Sequence, residues 1–214
     1  MTRKMLVFEL LLIAAALAAT ALAYPHLPNS VPIHWNLRFQ PDGFGSPALL
    51  YLLGPGLMSG MMLLTWLLPL LSPKNFEIER FRTTYNQLML IAFCFFLYLF
   101  AAVLWTALGH PLDMGRVIMG GLCLFWFFMG NLMGKVRRNF YSGFRTPWAL
   151  ASERVWNATH RFGAKTMAAG GVIGLALALP GLLLYAAVVL VLSMLAPAIF
   201  SFTYYKQLER RGEL

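Results

Sequence analysis

The sequence carries little charge. Only 12% of its 214 residues are Asp, Glu, Lys or Arg, whereas 59% are hydrophobic, and soluble domains carry about 25% charged residues. This composition excludes an ordinary soluble domain and indicates an integral membrane protein. Acidic residues are fewer than basic ones, 8 against 17, which gives a net charge of +9. In a membrane protein such an excess reports orientation, so we do not expect direct nucleic-acid binding.

Cysteine is nearly absent as well. Cys94 and Cys123 each lie inside an apolar run, which excludes a disulfide scaffold and indicates reduced packing residues. The sequence has no Gly-x-Ser-x-Gly, no His-Glu-x-x-His, no Gly-rich phosphate loop and no pair of intramembrane carboxylates. We therefore expect neither an enzyme nor a cofactor.

A metal site is the other chemistry we considered. Several His and Asp side chains of the connecting loops could in principle gather around an ion: His26, His34, Asp42, His110 and Asp113. They lack the close ligand spacing of metal motifs. We predict no metal site.

Long apolar runs dominate the chain instead. A helix needs about 20 apolar residues to cross a bilayer, and six segments qualify: 5–24, 48–71, 85–108, 112–134, 164–180 and 182–205. The last two are divided at Pro180-Gly181, where proline ends a helix and glycine permits a reversal. The predicted fold is all-α, a polytopic membrane bundle of six helices. We divide it into 1–72, 73–134 and 135–214.

The first span has an alternative interpretation. Its basic start, apolar middle and Ala-Leu-Ala ending resemble a signal peptide cleaved after Ala23. The apolar part is long for a signal peptide, and Glu9 lies inside it. We expect an uncleaved anchor.

The basic residues predict the orientation. With six spans, fifteen of the seventeen Lys and Arg fall on the side of the two termini, and only Arg38 and Arg116 fall on the other side. Segments rich in Lys and Arg stay in the cytoplasm. Both termini are therefore predicted to be cytoplasmic, and residues 24–47 form the one sizeable outer loop.

The outer loop is rich in proline, which disfavours helix. Pro41-Asp42-Gly43 predicts a turn. We expect a structured lid over the outer ends of the helices, held by hydrogen bonds from His34 and Asn36.

The inner loop 135–165 has seven basic residues against Glu153. Thr146-Pro147 is a typical helix start, and no proline follows before Gly163. An apolar stripe at helical spacing runs through Trp148, Ala151, Val155, Thr159 and Phe162. These features predict a cytoplasmic amphipathic helix, 147–162, lying in the membrane interface. Its basic side could bind anionic membrane lipids or dock a cytoplasmic partner.

The same stretch carries a family signature. The segment GNLMGKVRRNFYSGFRTPWALASERVWNATHRFGAK, residues 130–165, closely resembles that of the SdpI family. The matching positions are Gly130, Asn131, Asn139, Gly143, Arg145, Thr146, Pro147, Trp148, Leu150, Val155, Trp156, Thr159, His160 and Gly163.

The outer loop resembles the domain of unknown function that usually precedes this signature. The matching positions are Leu27, Pro28, Pro32, His34, Trp35, Asn36, Asp42, Gly43 and Gly45. Two positions depart from that domain, which commonly has glycine where Phe39 stands and lysine where Pro47 stands.

The resemblance implies a bacterial inner-membrane protein. A named family member protects its cell from a secreted peptide toxin that collapses the proton gradient. It also holds a small DNA-binding repressor at the membrane. By this resemblance the outer loop (His34, Trp35, Asn36, Asp42) would meet the peptide, and the inner signature would hold the repressor. A transporter or channel is the alternative, since Ser59, Thr65, Thr106, Asn131 and Ser193 lie within the spans.

Overall fold

A computed structural model describes residues 3–74, 76 and 78–214, and most of them are helical. The long helices are α1 (Arg3–Ala23), α3 (Leu57–Leu70), α4 (Arg82–Ala107), α5 (Met114–Met133), α7 (Glu153–Ala178) and α8 (Leu183–Arg210). A short α2 (Leu49–Tyr51) joins α3 through a π-helical turn, Leu52–Gly56, and α6 spans Pro147–Ala151. Two strands, β1 (Val31–Trp35) and β2 (Pro41–Gly45), complete the fold.

Five helical segments of the described chain are long and apolar enough to cross a membrane: Arg3–His26, Leu49–Leu70, Ile78–Ala107, Met114–Met133 and Leu183–Arg210. The predicted all-α membrane fold is therefore confirmed. The predicted span 164–180 falls in α7, which is not one of the five because its first half is basic and its remainder is rich in glycine and alanine. The count of six spans stays a prediction.

The inner loop differs from its prediction. The amphipathic helix 147–162 is not a separate element, because α6 ends at Ala151 and α7 then runs from Glu153 through Gly163 to Ala178. Gly163 lies inside α7. Its missing side chain leaves room for the ring of Phe144, which a Cβ at position 163 would overlap. The predicted apolar stripe is also divided: Val155 and Thr159 are buried inside the protein.

Glycines let α5, α7 and α8 pack with almost no side chain between them. A Cβ added at Gly130 would lie 2.7 Å from the backbone nitrogen of Ala168, and one at Gly171 would lie 2.7 Å from the carbonyl oxygen of Cys123. Gly170 faces Ser193 of α8 in the same way, at 2.6 Å. Small residues are the usual means of close helix packing in membranes. These three helices form one compact unit, which we call the α5–α7–α8 unit.

The N-terminal helices pack around a second core. The buried residues of α1 (Met5, Glu9, Ala16, Thr20 and Ala23) recur at helical spacing and form one stripe. Ala16 and Ala23 pack with Phe93 and Phe100 of α4 in this core. Gly54 in the π-helical turn makes room for the ring of Phe100, which any Cβ there would overlap.

The outer loop forms an antiparallel hairpin of β1 and β2, with Val31 opposite Gly45 and Trp35 opposite Pro41. The predicted turn at Pro41-Asp42-Gly43 is wrong: these residues lie in β2, and the chain reverses over 36–40. There the side-chain oxygen of Asn36 accepts hydrogen bonds from the backbone N–H groups of Arg38 (2.8 Å) and Gln40 (3.2 Å). An asparagine that ties its own turn in this way favours the reversal earlier in the chain.

Phe39, in this turn, connects the hairpin to the α5–α7–α8 unit. Its backbone has a φ of +57°, the one positive φ at a non-glycine residue of the described chain. Its ring packs against the hydrophobic cluster of α5, α7 and α8, and it lies beside Gly115 at the start of α5. Leu183 also borders Gly115, so the end of the bundle that carries the hairpin includes the starts of α5 and α8. We call it the hairpin end.

Phe39 supports a testable prediction. Phe39→Ala and Phe39→Gly both remove the ring. Only glycine adopts a positive φ without strain, because this conformation costs other residues about 1–2 kcal/mol. We expect both variants to melt below the parent in detergent, with Phe39→Gly above Phe39→Ala. Leu37, fully exposed in the same turn, is the control, because there glycine should not exceed alanine. The same order at both positions would contradict the argument.

Candidate functional site

The residues of the signature meet at the opposite end of the bundle, the signature end, around the imidazole of His160. This side chain is fully buried on α7. Its Nε2 accepts a hydrogen bond from the backbone N–H of Phe144 (3.0 Å), so the ring proton lies on Nδ1, which donates to the carbonyl oxygen of Trp156 (2.9 Å). Burial lowers the pKa of His160 to about 4. The neutral ring therefore fastens the loop before α6 to α7.

Gly143 makes this contact possible. Its φ is +99°, and a Cβ there would overlap Nε2 of His160. Both the backbone conformation and the missing space require glycine. The pairing of Gly143 with His160 in the signature therefore has a direct geometric cause.

Trp156 lies stacked on His160, with ring centroids 4.0 Å apart. Its indole N–H donates to the carbonyl oxygen of Val136 (2.8 Å), and the whole side chain is buried. It is therefore not an interfacial anchor, since an anchor would face the headgroups. Trp156 and His160 instead pack this edge of α7 against the loop that leaves α5.

Asn139 organises the middle of that loop. It is fully buried, and its Nδ2 donates to the carbonyl oxygens of Arg137 (2.8 Å) and Ser142 (3.1 Å). Its Oδ1 accepts from the backbone N–H groups of Tyr141 (2.7 Å) and Ser142 (2.8 Å). Donor and acceptor are both used, so neither aspartate nor alanine can replace this side chain without leaving buried groups unpaired.

Thr146 and Pro147 start a helix as predicted. The Thr146 hydroxyl oxygen accepts from the backbone N–H of Ala149 (3.2 Å), with proline following at the first helical position. The same hydroxyl meets Ser201 Oγ of α8 (2.8 Å), and Trp148 lies against Phe202 of α8. The short helix α6 thus holds the signature to α8.

Thr159 is fully buried, and its hydroxyl has no hydrogen-bond partner within the described chain.

The exposed Arg145 closes the loop, because its guanidinium donates to the carbonyl oxygen of Phe140. The groups that sequence reasoning missed here are mostly backbone atoms of Val136, Phe140 and Phe144. Such partners have no side-chain signal.

Other parts of the chain meet the signature end. The Tyr141 hydroxyl donates to the carbonyl oxygen of Leu71 (2.7 Å), just after α3. The rings of Phe76 and Phe140 lie 4.2 Å apart, and Arg154 forms an ion pair with Glu213 (2.8 Å). The α3–α4 connection and the C-terminal tail therefore lie at the same end as the signature.

At the hairpin end, the predicted outer residues are partly brought together. His34 Nδ1 lies 2.5 Å from Asp42 Oδ1 across the two strands, and both side chains are exposed. Trp35 and Asn36 follow directly in the hairpin. His110 instead stacks on Trp105, and Asp113 caps α5 by accepting from the N–H of Arg116. Within the described residues, no three His, Cys, Asp or Glu side chains gather as metal ligands would.

Glu9 is the one acidic residue that lies well within a predicted span, away from its ends. Its side chain is fully buried on the packed face of α1, so it does not reach the headgroups. Neither carboxyl oxygen has a hydrogen-bond partner in the described part of the chain. A buried carboxyl group without partners lowers stability.

The polar residues that could have lined a transport path are bonded within their own helices. Each donates to a carbonyl oxygen three or four residues earlier: Ser59 to Pro55, Thr65 to Met61, Thr106 to Ala102, Asn131 to Phe127, and Ser193 to Leu190. Ser193 in addition accepts a hydrogen bond from the indole N–H of Trp126 on α5 (2.8 Å), so it also serves the packing of α8 on α5.

His160 generates a prediction on pH. Its pKa is 6.5 in the unfolded chain and about 4 in the fold, so between these values the unfolded state binds more protons and stability falls as the pH is lowered. From pH 7 to pH 5 we expect a loss of about 2 kcal/mol from this group. His160→Gln should be less stable at pH 7 but should lose this part of the pH dependence. Thermal unfolding of both proteins at pH 7 and pH 5 measures this loss of stability. An equal loss in the parent and in His160→Gln would contradict the role assigned to His160.

Glu9 generates a second prediction. Glu9→Leu removes a buried, unpaired carboxyl group and keeps an apolar side chain of similar size, so it should stabilise the protein by about 1–3 kcal/mol. Glu9→Gln keeps a buried polar group and should change stability less. The measurement is thermal unfolding in detergent, and a lower melting temperature for Glu9→Leu would show that the carboxyl group has a partner.

Known protein families match two regions of the chain, one with the signature and one with the hairpin. Residues 135–204, which contain the signature from Lys135 onwards, α6, α7 and most of α8, match the SdpI/YfhL protein family. Residues 11–59, which contain the hairpin, match the domain of unknown function DUF1648. No curated protein and no solved structure matches the chain. The two matches lie in the order expected from the sequence, so the chain carries a DUF1648 region followed by a region of the SdpI/YfhL type.

Proposed function

We propose that this protein protects a bacterial cell from a secreted, membrane-active peptide and signals its presence by holding a small DNA-binding repressor. It lies in the inner membrane with both termini in the cytoplasm. The hairpin end faces outwards and meets the peptide. The signature end faces the cytoplasm and holds the repressor.

One observation supports this proposal more than any other: both ends rest on the same three helices. Phe39 of the hairpin packs on the cluster formed by α5, α7 and α8. The signature is built on α7 through His160 and is joined to α8 through Thr146. A receptor needs such a connection between two distinct sites.

The hairpin offers groups suited to an amphipathic peptide. Leu37 is 99% exposed at its tip, and Phe44 is 58% exposed on β2. The exposed pair of His34 and Asp42 lies on the same two strands. Exposed apolar side chains rimmed by polar ones are typical of interaction surfaces.

The signature end offers a rigid basic surface. Its exposed cations include Lys135, Arg137, Arg154 and Arg161. Electrostatic complementarity would favour a repressor whose contact surface is acidic. The buried hydrogen bonds of Asn139 and His160 hold the loop that carries two of these cations.

The proposal is tested by deletion and overexpression in a bacterium that carries this gene. Cells are challenged with purified membrane-active peptides, and growth and membrane potential are recorded. Deletion should sensitise cells to at least one peptide and overexpression should protect them. A small-molecule protonophore, which needs no protein target, is the control. Equal protection against the protonophore, or no change with any peptide, would overturn the immunity role.

Arg145 gives a sharper test of the signature end. Its guanidinium donates to the Phe140 carbonyl oxygen while the rest of the side chain is exposed. A guanidinium can hold this oxygen and a carboxylate of a partner together, whereas a lysine ammonium cannot reproduce the planar geometry. Arg145→Lys should therefore lose induction of a reporter for the adjacent operon nearly as completely as Arg145→Ala, at normal membrane abundance.

The control for Arg145 is Arg211→Lys, an equal change at the exposed end of α8. It should leave induction unchanged. Full induction by Arg145→Lys would show that only the charge at position 145 is needed.

A further inference from the structure

A basic cleft of about 450 Å³ opens at the signature end, between the end of α5 and the start of α7. It is lined by Gly134, Lys135, Arg137, Arg154, Asn157 and Arg161. From this cleft we infer a binding site for the phosphate group of an anionic phospholipid.

The backbone fixes the shape of the cleft. Arg154, Asn157 and Arg161 follow one another at spacings of three and four on α7, so they share a face of that helix. The opposite face of α7 carries the fully buried Trp156 and His160. Gly134 caps α5 directly against Arg161, since a Cβ on Gly134 would lie 3.8 Å from Arg161 Cγ. The cations therefore stand on a rigid support.

Charge is unbalanced in this cleft. Four cationic side chains line it, and only Arg154 has a carboxylate partner among the described residues, Glu213 of the C-terminal tail. Lys135, Arg137 and Arg161 have none in the same part of the chain. Arginine binds phosphate oxygens through two parallel hydrogen bonds, and Asn157 adds an amide donor. The cationic side chains without a carboxylate partner are thus suited to bind a phosphate ester.

The depth of the cleft indicates a lipid. It lies directly at the end of α5, which is one of the candidate spans. Beyond Arg161, the rest of α7 carries one charged residue, Lys165, and is otherwise apolar or small. Basic pockets beside apolar helices at the cytoplasmic leaflet are suited to anionic headgroups.

The Glu213 carboxylate occupies the position that a phosphate would take on Arg154. The tail therefore competes with the lipid for this guanidinium. Removing the Glu213 charge should strengthen lipid binding, whereas removing the unpaired cations should weaken it. The inference does not depend on the proposed immunity or receptor role, because its test needs neither peptide nor repressor.

The experiment titrates the purified full-length protein, in uncharged detergent, with short-chain phosphatidylglycerol, phosphatidylcholine or inorganic phosphate. Affinity is read from the shift in melting temperature. Phosphatidylglycerol should bind at least about tenfold more tightly than the other two, a difference within the reach of one or two charge-assisted hydrogen bonds. Inorganic phosphate acting equally well would overturn the lipid assignment.

Two pairs of variants test the location. Arg137→Gln with Arg161→Gln should weaken phosphatidylglycerol binding at least about tenfold, while Arg210→Gln with Arg211→Gln, equal in charge and at the same end, should leave it within about twofold. All four side chains are exposed, so melting without lipid should not change. Equal losses in both pairs would show attraction by overall charge and overturn the site.

Glu213→Gln should tighten binding by severalfold, and its control is Glu209→Gln. Glu209 is paired with Lys206 outside the cleft, and its substitution changes the net charge equally. Equal tightening by both variants, or weaker binding by Glu213→Gln, would contradict competition at Arg154.

Discussion

The hydrogen bond from the Phe144 N–H to His160 Nε2 is the interaction on which the signature end depends. It joins a loop without regular structure to the second turn of a long helix, and it does so inside the protein, where an unpaired donor and acceptor would each be costly. Three other features follow from it. Gly143 must lack a side chain, the second nitrogen of the ring must bond within α7, and Trp156 must lie flat against the imidazole. A neutral histidine is the one common side chain that accepts at one end and donates at the other while presenting a flat face for stacking.

The close packing of α5, α7 and α8 explains why this buried, polar region can sit beside a membrane. Glycines at positions 130, 170 and 171 bring backbones together, so dispersion contacts form along most of α7. A helix enclosed in this way does not need the lipid-facing hydropathy of a peripheral span. α7 can therefore carry three basic residues in its first half and still run alongside α5, with Gly134 at Arg161, Gly130 at Met167 and Cys123 at Gly171.

Much of this fold followed from local patterns, and most of the errors arose from tertiary packing. Long apolar runs, the helix start at Thr146-Pro147 and the proline-rich, non-helical outer loop are properties of neighbouring residues, and they were predicted. The prediction of a separate helix 147–162 is wrong: glycine at position 163 is a typical helix end by local pattern, but here it packs against Phe144 in the interior of α7. Trp156 and His160 could be placed on one face by spacing, but their burial depends on the Val136 and Phe144 backbones, which leave no trace in side-chain patterns. The turn was misplaced because Asn36 forms it earlier in the chain than Pro41.

The same contacts limit how the two ends can communicate. Each glycine leaves room for the backbone of the facing helix. If α7 slid along α5, that backbone would meet the Cβ atoms of the residues next to the glycine. We therefore expect the α5–α7–α8 unit to move as a body. The N-terminal helices touch this unit through Phe39 at the hairpin end and through Tyr141 with Leu71 at the signature end. They also touch it along α4, whose Tyr98 hydroxyl donates to the carbonyl oxygen of Val117 in α5 (2.9 Å). Under the proposed function, a peptide that displaces the hairpin would shift the N-terminal helices, as a second body, against this unit. Such a shift would reach the signature end at the Tyr141–Leu71 contact, whereas the buried bonds of Asn139 and His160 lie within the unit. A repressor sensitive to the peptide would accordingly have to contact the boundary between the two bodies, where α3 ends and residues 139–142 begin, and not α7 alone.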